Sequence, residues 1–271
     1  MSNNLLKGKK GIIFGALNEE SIAWKVAERA HEEGAEFILT NAPVALRMGE
    51  LNKLAKATGS EVVPADVTSA EDLENLFKVA EEKYGKIDFI LHSIGMSINV
   101  RKKIHYTESN YDYYNKAMDI SAISFHRVMK IAKQKDIMNE WGSILALSYI
   151  AGQLAFPGYN DMSDAKAQLE GIARNFGYYY GVDKKVRVNT ISQSPTKTTA
   201  GSGIKGFNSL YGFADLQSPL GNAPALDCAN YCITLFSDLT KYVTMQNLMH
   251  DGGFSTTGVS SKIMDRLGFE Q

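Results

Sequence analysis

Gly11-Ile12-Ile13-Phe14-Gly15, then Ser21-Ile22-Ala23 leading to Gly34, then Phe37-Ile38-Leu39, is the stretch that decides the fold. The first piece is a short apolar run closed by a glycine, as a buried strand requires. Residues 21–33 change to helical period, with Ile22, Ala23, Val26, Ala27 and Ala30 on one side. Gly34 stands where a helix ends in a left-handed residue. The second apolar run follows within three residues. Strand, helix and strand joined this tightly make a parallel crossover unit.

Working outward, the alternation continues to the end of the chain. Helical patterns are read at about 44–57, 70–83, 109–134, 159–181 and 225–237. Further strands are read at 61–63, 87–92, 143–147, 186–191 and 243–249. The region 96–108 reads as loop, and 193–209, with three glycines, as a mobile loop. Strands that alternate with helices predict an α/β fold: one doubly wound Rossmann domain over residues 1–271, its seven-stranded parallel sheet flanked by helices. In such sheets ligands sit beyond the carboxyl ends of the strands.

Composition narrows the function. The 271 residues are 44% apolar and 22% charged, and 29 basic against 30 acidic side chains leave a net charge of −1. That balance excludes a nucleic-acid binder held by bulk charge. Apolar runs fall far short of the ~18 residues of a membrane helix, and Met1 to Lys10 has no signal-peptide apolar stretch. Two cysteines, Cys228 and Cys232, and five scattered histidines give no metal spacing. A reducing, cytoplasmic setting is expected.

The strand ends carry the candidate chemistry. Gly15 after the first strand lets main chain approach a pyrophosphate or simply forms a tight turn, and the G-x-G-x-x-G fingerprint is absent. Asp66 after the third strand could accept from an adenine amino group or belong to a helix cap. Ser93-Ile94-Gly95 after the fourth would bring main chain against a ring or ribose. The second strand ends Thr40-Asn41-Ala42-Pro43 with no acid for a ribose diol and no basic pair for a 2′-phosphate. Arg47 is the nearest cation and is expected to face solvent.

The richest constellation runs from Ser148-Tyr149 to Pro157-Gly158-Tyr159-Asn160-Asp161-Met162-Ser163-Asp164-Ala165-Lys166. If Pro157 opens the helix, Tyr159 and Lys166 lie two turns apart. Seven steps of about 100° then return within about 20° of the same face. A phenol beside an ammonium can donate to a developing oxyanion, although such a pair also occurs on ordinary solvated helices.

At these residues the chain resembles the enoyl-acyl-carrier-protein reductases of bacterial fatty-acid synthesis, a divergent branch of the short-chain dehydrogenases. The resemblance runs through Gly15 with Ser21-Ile22-Ala23; Asp66-Val67; His92-Ser93-Ile94-Gly95; Asp119-Ile120-Ser121; Tyr149; Tyr159-x6-Lys166; Val186 to Ser192; Ser202 to Lys205; and Asp251-Gly252-Gly253. Most short-chain dehydrogenases carry Tyr-x3-Lys instead, and residue 163 here is serine.

The resemblance implies reduction of the trans-2 double bond of an enoyl thioester, the last step of the elongation cycle. NADH is favoured as reductant, with NADPH possible. It implies Tyr159, Lys166 and Tyr149 as catalytic residues. Cofactor contacts would come from Gly15, Ser21, Ile22, Asp66, Val67, Ser93, Ile94, Gly95, Lys166, Pro195 and Thr196. Tyr149, Tyr159, Met162, Ile204 and Phe207 would line the acyl site, under a lid at about 195–210.

Acyl carrier protein is the implied partner and a homotetramer the implied assembly. Arg101-Lys102-Lys103 reads as a solvated loop or as a contact for carrier phosphate. Ser194 stands where relatives have glycine, and Thr196 where isoleucine is common; the lid is poor in cations. The rival readings are a ketone- or alcohol-specific enzyme of the same fold and a non-catalytic cofactor-binding regulator.

Overall fold

The computed structural model describes residues 2–202 and 206–269. In chain order the elements are β1 (Lys10–Phe14), α1 (Ile22–Glu32), β2 (Glu36–Thr40), α2 (Pro43–Met48), α3 (Leu51–Thr58), β3 (Glu61–Val62), α4 (Ala70–Tyr84) and β4 (Ile87–His92). There follow α5 (Ile98–Arg101), α6 (Tyr111–Met118), a π-helical turn (Asp119–Ile123), α7 (Ser124–Gln134), β5 (Met138–Ser148), α8 (Asp161–Lys184) and β6 (Arg187–Gln193). Last come α9 (Thr199–Ser202), α10 (Phe207–Gln217), α11 (Ala225–Phe236), β7 (Asn247–His250) and α12 (Ser261–Arg266).

The seven strands form one sheet in the order β3-β2-β1-β4-β5-β6-β7, with every pairing parallel. The order reverses between β1 and β4, which makes that crevice the switch point of a doubly wound fold. Period-2 alternation divides the strand residues between two cores. Ile12, Phe14, Ile90, Ile144 and Ala146 pack with α4, α7 and α8; Ile13, Phe89, Leu91 and Leu145 pack with α1 and α11. Each of the buried Ile, Leu and Phe side chains contributes about 1.5–3 kcal/mol. Arg187, buried at the start of β6, staples the sheet to the end of α11. It donates to the carbonyls of Leu235 (2.8 Å), Thr240 (3.2 Å) and Ser237 (3.1 Å). These include carbonyls at the negative end of a helix, which suit a cation.

The structure corrects several sequence boundaries. The helix read at 44–57 breaks into α2 and α3, because Gly49 lies against loop main chain after β1. A Cβ on Gly49 would lie 2.6 Å from the Leu17 carbonyl oxygen, and Glu50 N–H donates to that oxygen at 3.0 Å. The helix read at 109–134 carries the π turn at its centre. The strand read at 243–249 begins only at Asn247, since Met245, at φ 62°, turns the chain. Short α5 interrupts the loop read at 96–108, and α9 and the start of α10 occupy parts of 193–209.

Gly34 performs as expected, at φ 89° just past α1. No helix among the described residues is long and apolar enough to cross a membrane.

Candidate functional site

The carboxyl ends of β1 and β4 meet so closely that side chains are excluded. Gly15 has φ 93°, and a Cβ there would collide with the Ser93 carbonyl oxygen. Ser21 closes the following turn: its Oγ accepts from the N–H groups of Leu17 and Asn18, both at 3.2 Å. Ile22 packs toward the α1 core, while Val67 and Ile94 pack toward the other. These three therefore offer a ligand mainly main chain.

Asp66 holds its own turn, Oδ1 accepting from Thr68 N–H (2.9 Å) and Thr68 Oγ1 (2.7 Å). The helix cap proper is Ser69. At the end of β2, Asn41 Nδ2 donates to the Ala16 carbonyl at 3.0 Å. Arg47 is exposed on α2, as the sequence suggested.

Helical spacing does not describe how Tyr159 and Lys166 are placed. Tyr159 lies outside α8, ahead of its N-cap Asn160, so Pro157 opens a turn and not the helix. Asn160 has φ 48° and ψ −137°, a strained conformation for a residue with a side chain. Its Nδ2 donates to the Ile104 carbonyl at 2.7 Å, and its Oδ1 accepts from Asp161 N–H at 2.6 Å.

Lys166 is buried on the second turn of α8, and its Nζ donates to the Leu147 carbonyl at 2.7 Å. Burial lowers its pKa to about 8, and Glu170 partly offsets that. Gly95 leaves room beside it: an added Cβ would lie 3.9 Å from Lys166 Nζ and 3.3 Å from Met162 Cε. Thr196 Oγ1 donates to the Ser194 carbonyl at 2.9 Å, shaping the turn after β6 around Pro195.

An aromatic wall rises beside Tyr159. The Tyr149 ring centroid lies 5.2 Å from that of Tyr159 and 5.1 Å from that of Phe156. Phe254 extends the wall, 5.9 Å from Phe156. The Tyr149 hydroxyl is buried without a hydrogen-bond partner. Burial raises both phenols above their ordinary range; for Tyr149, the neighbouring Tyr159 and Asp251 add to it. Both therefore stay protonated donors at neutral pH. Met162 and Phe207 are buried. Ile204 lies outside the described residues.

The crevice fits a dinucleotide. Among the described residues, buried unpartnered side-chain atoms include Thr40 Oγ1, His92 Nδ1, Tyr149 OH and Ser192 Oγ, at the carboxyl ends of β2, β4, β5 and β6. Unsatisfied polar groups are costly unless a ligand or water meets them.

Some contributors escaped the sequence reading. Asp161, fully buried, accepts from Ser97 Oγ (2.5 Å) and Asn99 Nδ2 (2.8 Å), tying the 97–110 segment to the start of α8. Glu170, also buried, accepts from Ser148 Oγ at 2.7 Å and Gln153 Nε2 at 3.0 Å. His92 Nε2 lies 2.8 Å from Ser124 Oγ, and burial together with the Lys166 charge lowers its pKa to about 3. Ser121, on the π turn, accepts from Met96 N–H at 3.0 Å. The acidic residue after Asn160 was the one visible signal, since a carboxylate there invites donors; its partners are more than sixty positions away.

Ser194, in place of glycine, is buried and functional in the turn: its Oγ accepts from Ala223 N–H at 3.1 Å.

Residues 15–255 match the family model described as enoyl-(acyl carrier protein) reductase. Enoyl-[acyl-carrier-protein] reductase [NADH] 1 of Rhizobium meliloti is 36% identical over 262 residues, covering 96% of this chain and 95% of that protein. The FabI–NADH complex from Alistipes finegoldii is 64% identical at a TM-score of 0.95, covering 96% of this chain and 93% of that one. The Bacillus cereus enoyl-acyl carrier protein reductase with NADP+ and indole naphthyridinone is 32% identical at a TM-score of 0.88, covering 96% and 100%.

Proposed function

Because the chain belongs to the enoyl-acyl-carrier-protein reductase family, we propose that it reduces the trans-2 double bond of enoyl thioesters on acyl carrier protein, with NADH as reductant. One observation carries the proposal. A protonated phenol, Tyr159, packs edge-on against Tyr149, while the buried Lys166 is held at the end of β5 and beside Gly95 after β4. When bound, the reduced nicotinamide supplies a hydride to the β-carbon of the enoyl group.

Gly15, Ser93, Ile94 and Gly95 would line the dinucleotide with main chain. Ser21, Ile22, Asp66 and Val67 would flank its adenosine half, and Pro195 and Thr196 its amide. Lys166, held by Leu147, keeps two N–H groups for ribose hydroxyls. Tyr159 donates a hydrogen bond to the thioester oxygen as negative charge gathers there, Tyr149 closes the opposite side, and a proton from Tyr159 or from water then completes the α-carbon as the enolate collapses to the saturated thioester. A preorganised donor of this kind is worth about 3–4 kcal/mol in the transition state. Met162, Phe207 and Ile204 would border the acyl chain, and Phe156 and Phe254 exclude water from the Tyr149 side.

The absence of an acid or basic pair after β2 accords with NADH over NADPH. We further read residues 1–271 as one catalytic domain, the segment 195–210 as its lid and a homotetramer as its assembly.

The test is NADH and NADPH oxidation with a crotonyl thioester beside a panel of ketones. Thioester reduction with NADH is expected. Turnover of ketones with none of the thioester would overturn the reading.

A further inference from the structure

We propose that Arg101, Lys102 and Lys103 form the landing site for the acyl carrier protein; this rests on the reductase reading above. The enoyl group of such a substrate hangs from an arm joined to the carrier by a phosphodiester. An anion must therefore rest at the rim while the thioester reaches Tyr159.

The described residues on the lid side offer little to it. Among the described residues of 194–217 the one cation is Lys197, and its Nζ lies over the Tyr211 ring, 4.6 Å from the centroid. The segment between Ser97 and Ile104 carries three consecutive cations, all exposed. None has a carboxylate within ion-pair distance among the described residues, whereas many lysines elsewhere are paired. Lys102 Nζ donates to Tyr113 OH at 2.9 Å and lies 4.8 Å from that ring's centroid, which fixes its direction. Arg101 ends α5, and Lys103, at φ 60°, turns the chain behind it.

This segment is fastened to the start of α8, next to Tyr159. Ser97 and Asn99, on one side of the cations, are bonded to Asp161. Ile104, on the other side, accepts from Asn160, the residue next to Tyr159. Lys103 is therefore one covalent neighbour and one hydrogen bond from Asn160, the residue that follows Tyr159. A local patch of this kind steers an anionic partner although the whole chain is near neutral.

The test is the double variant Arg101→Glu with Lys103→Glu, which leaves the Lys102–Tyr113 contact in place. Crotonyl-acyl carrier protein is compared with the uncharged crotonyl-N-acetylcysteamine thioester. At low salt the variant should show at least a ten-fold higher KM for the carrier thioester, and kcat/KM should lose most of its salt dependence. Kinetics with the small thioester should be unchanged, which also certifies the fold. Wild-type kcat/KM on the carrier thioester, or equal losses on both substrates, would overturn the landing site. A wild-type enzyme that reduces neither thioester would instead defeat the reductase reading, and the landing site with it.

Discussion

Tyr159 and Lys166 show how much environment adds to residue type. A phenol in water and a phenol raised above its ordinary range differ in how firmly each keeps its proton. Tyr159→Phe removes one donor to the developing enolate and little else. It should lower kcat by about 100-fold or more while leaving NADH affinity, measured by fluorescence titration, nearly intact; wild-type turnover would remove the proposed role.

Lys166 makes a pH prediction. With a folded value of about 8 against an ordinary 10.5, kcat/KM should decline above about pH 8 as the ammonium loses its proton. The stability effect has the opposite sense. Holding the buried charge costs stability below about pH 8, and the cost fades from about 8 to 10.5, where the unfolded chain alone remains protonated. Lys166→Met should therefore be more resistant to urea than wild type at pH 7, by up to about 3 kcal/mol, with the gain shrinking toward pH 10. A gain independent of pH would contradict this account. The Tyr-x6-Lys spacing made both residues visible in the sequence; the burial that sets their titration was not visible there.

At the level of elements, the entry to α8 controls the site. Seven-residue spacing would put Tyr159 and Lys166 on one helical face, but the helix begins at Asp161. Gly158, at φ 88°, and Asn160, at φ 48°, hold Tyr159 in a turn before it. What fixes that turn is Asp161 with Ser97 and Asn99. Asp161→Ala would strand two buried donors and free the 97–110 segment. We expect a loss of about 3 kcal/mol or more in urea unfolding and a fall in kcat larger than the change in NADH affinity. Unchanged stability would show that water substitutes for the carboxylate.

The π turn at Asp119–Ile123 escaped the sequence for a similar reason. Helical periodicity continues on either side of an inserted residue, and only contact with Met96 and Met162 rewards the bulge at Ser121.

For the whole molecule, one observation bears on assembly. Tyr178 and Tyr179 are each 59% exposed and Val182 is 69% exposed, a strip on one side of α8. Tyr180, between them, is buried and donates to the Met129 carbonyl at 2.8 Å. An apolar strip of this kind marks an interaction surface and accords with the proposed homotetramer. Tyr179→Glu with Val182→Glu should reduce the sedimentation mass below that of four chains at micromolar concentration. An unchanged tetramer would place the interface elsewhere.

By itself the sequence determined the alternation of strands and helices, the glycine at the first crevice and the residue types of the proposed reacting pair. These follow from local rules: apolar period, backbone freedom and side-chain chemistry. Only the tertiary structure decided that Tyr159 precedes its helix, that Asp161 anchors a segment sixty residues away, and that Lys166 is buried against Leu147. Each of those depends on which distant groups share a desolvated volume, and no local pattern encodes that.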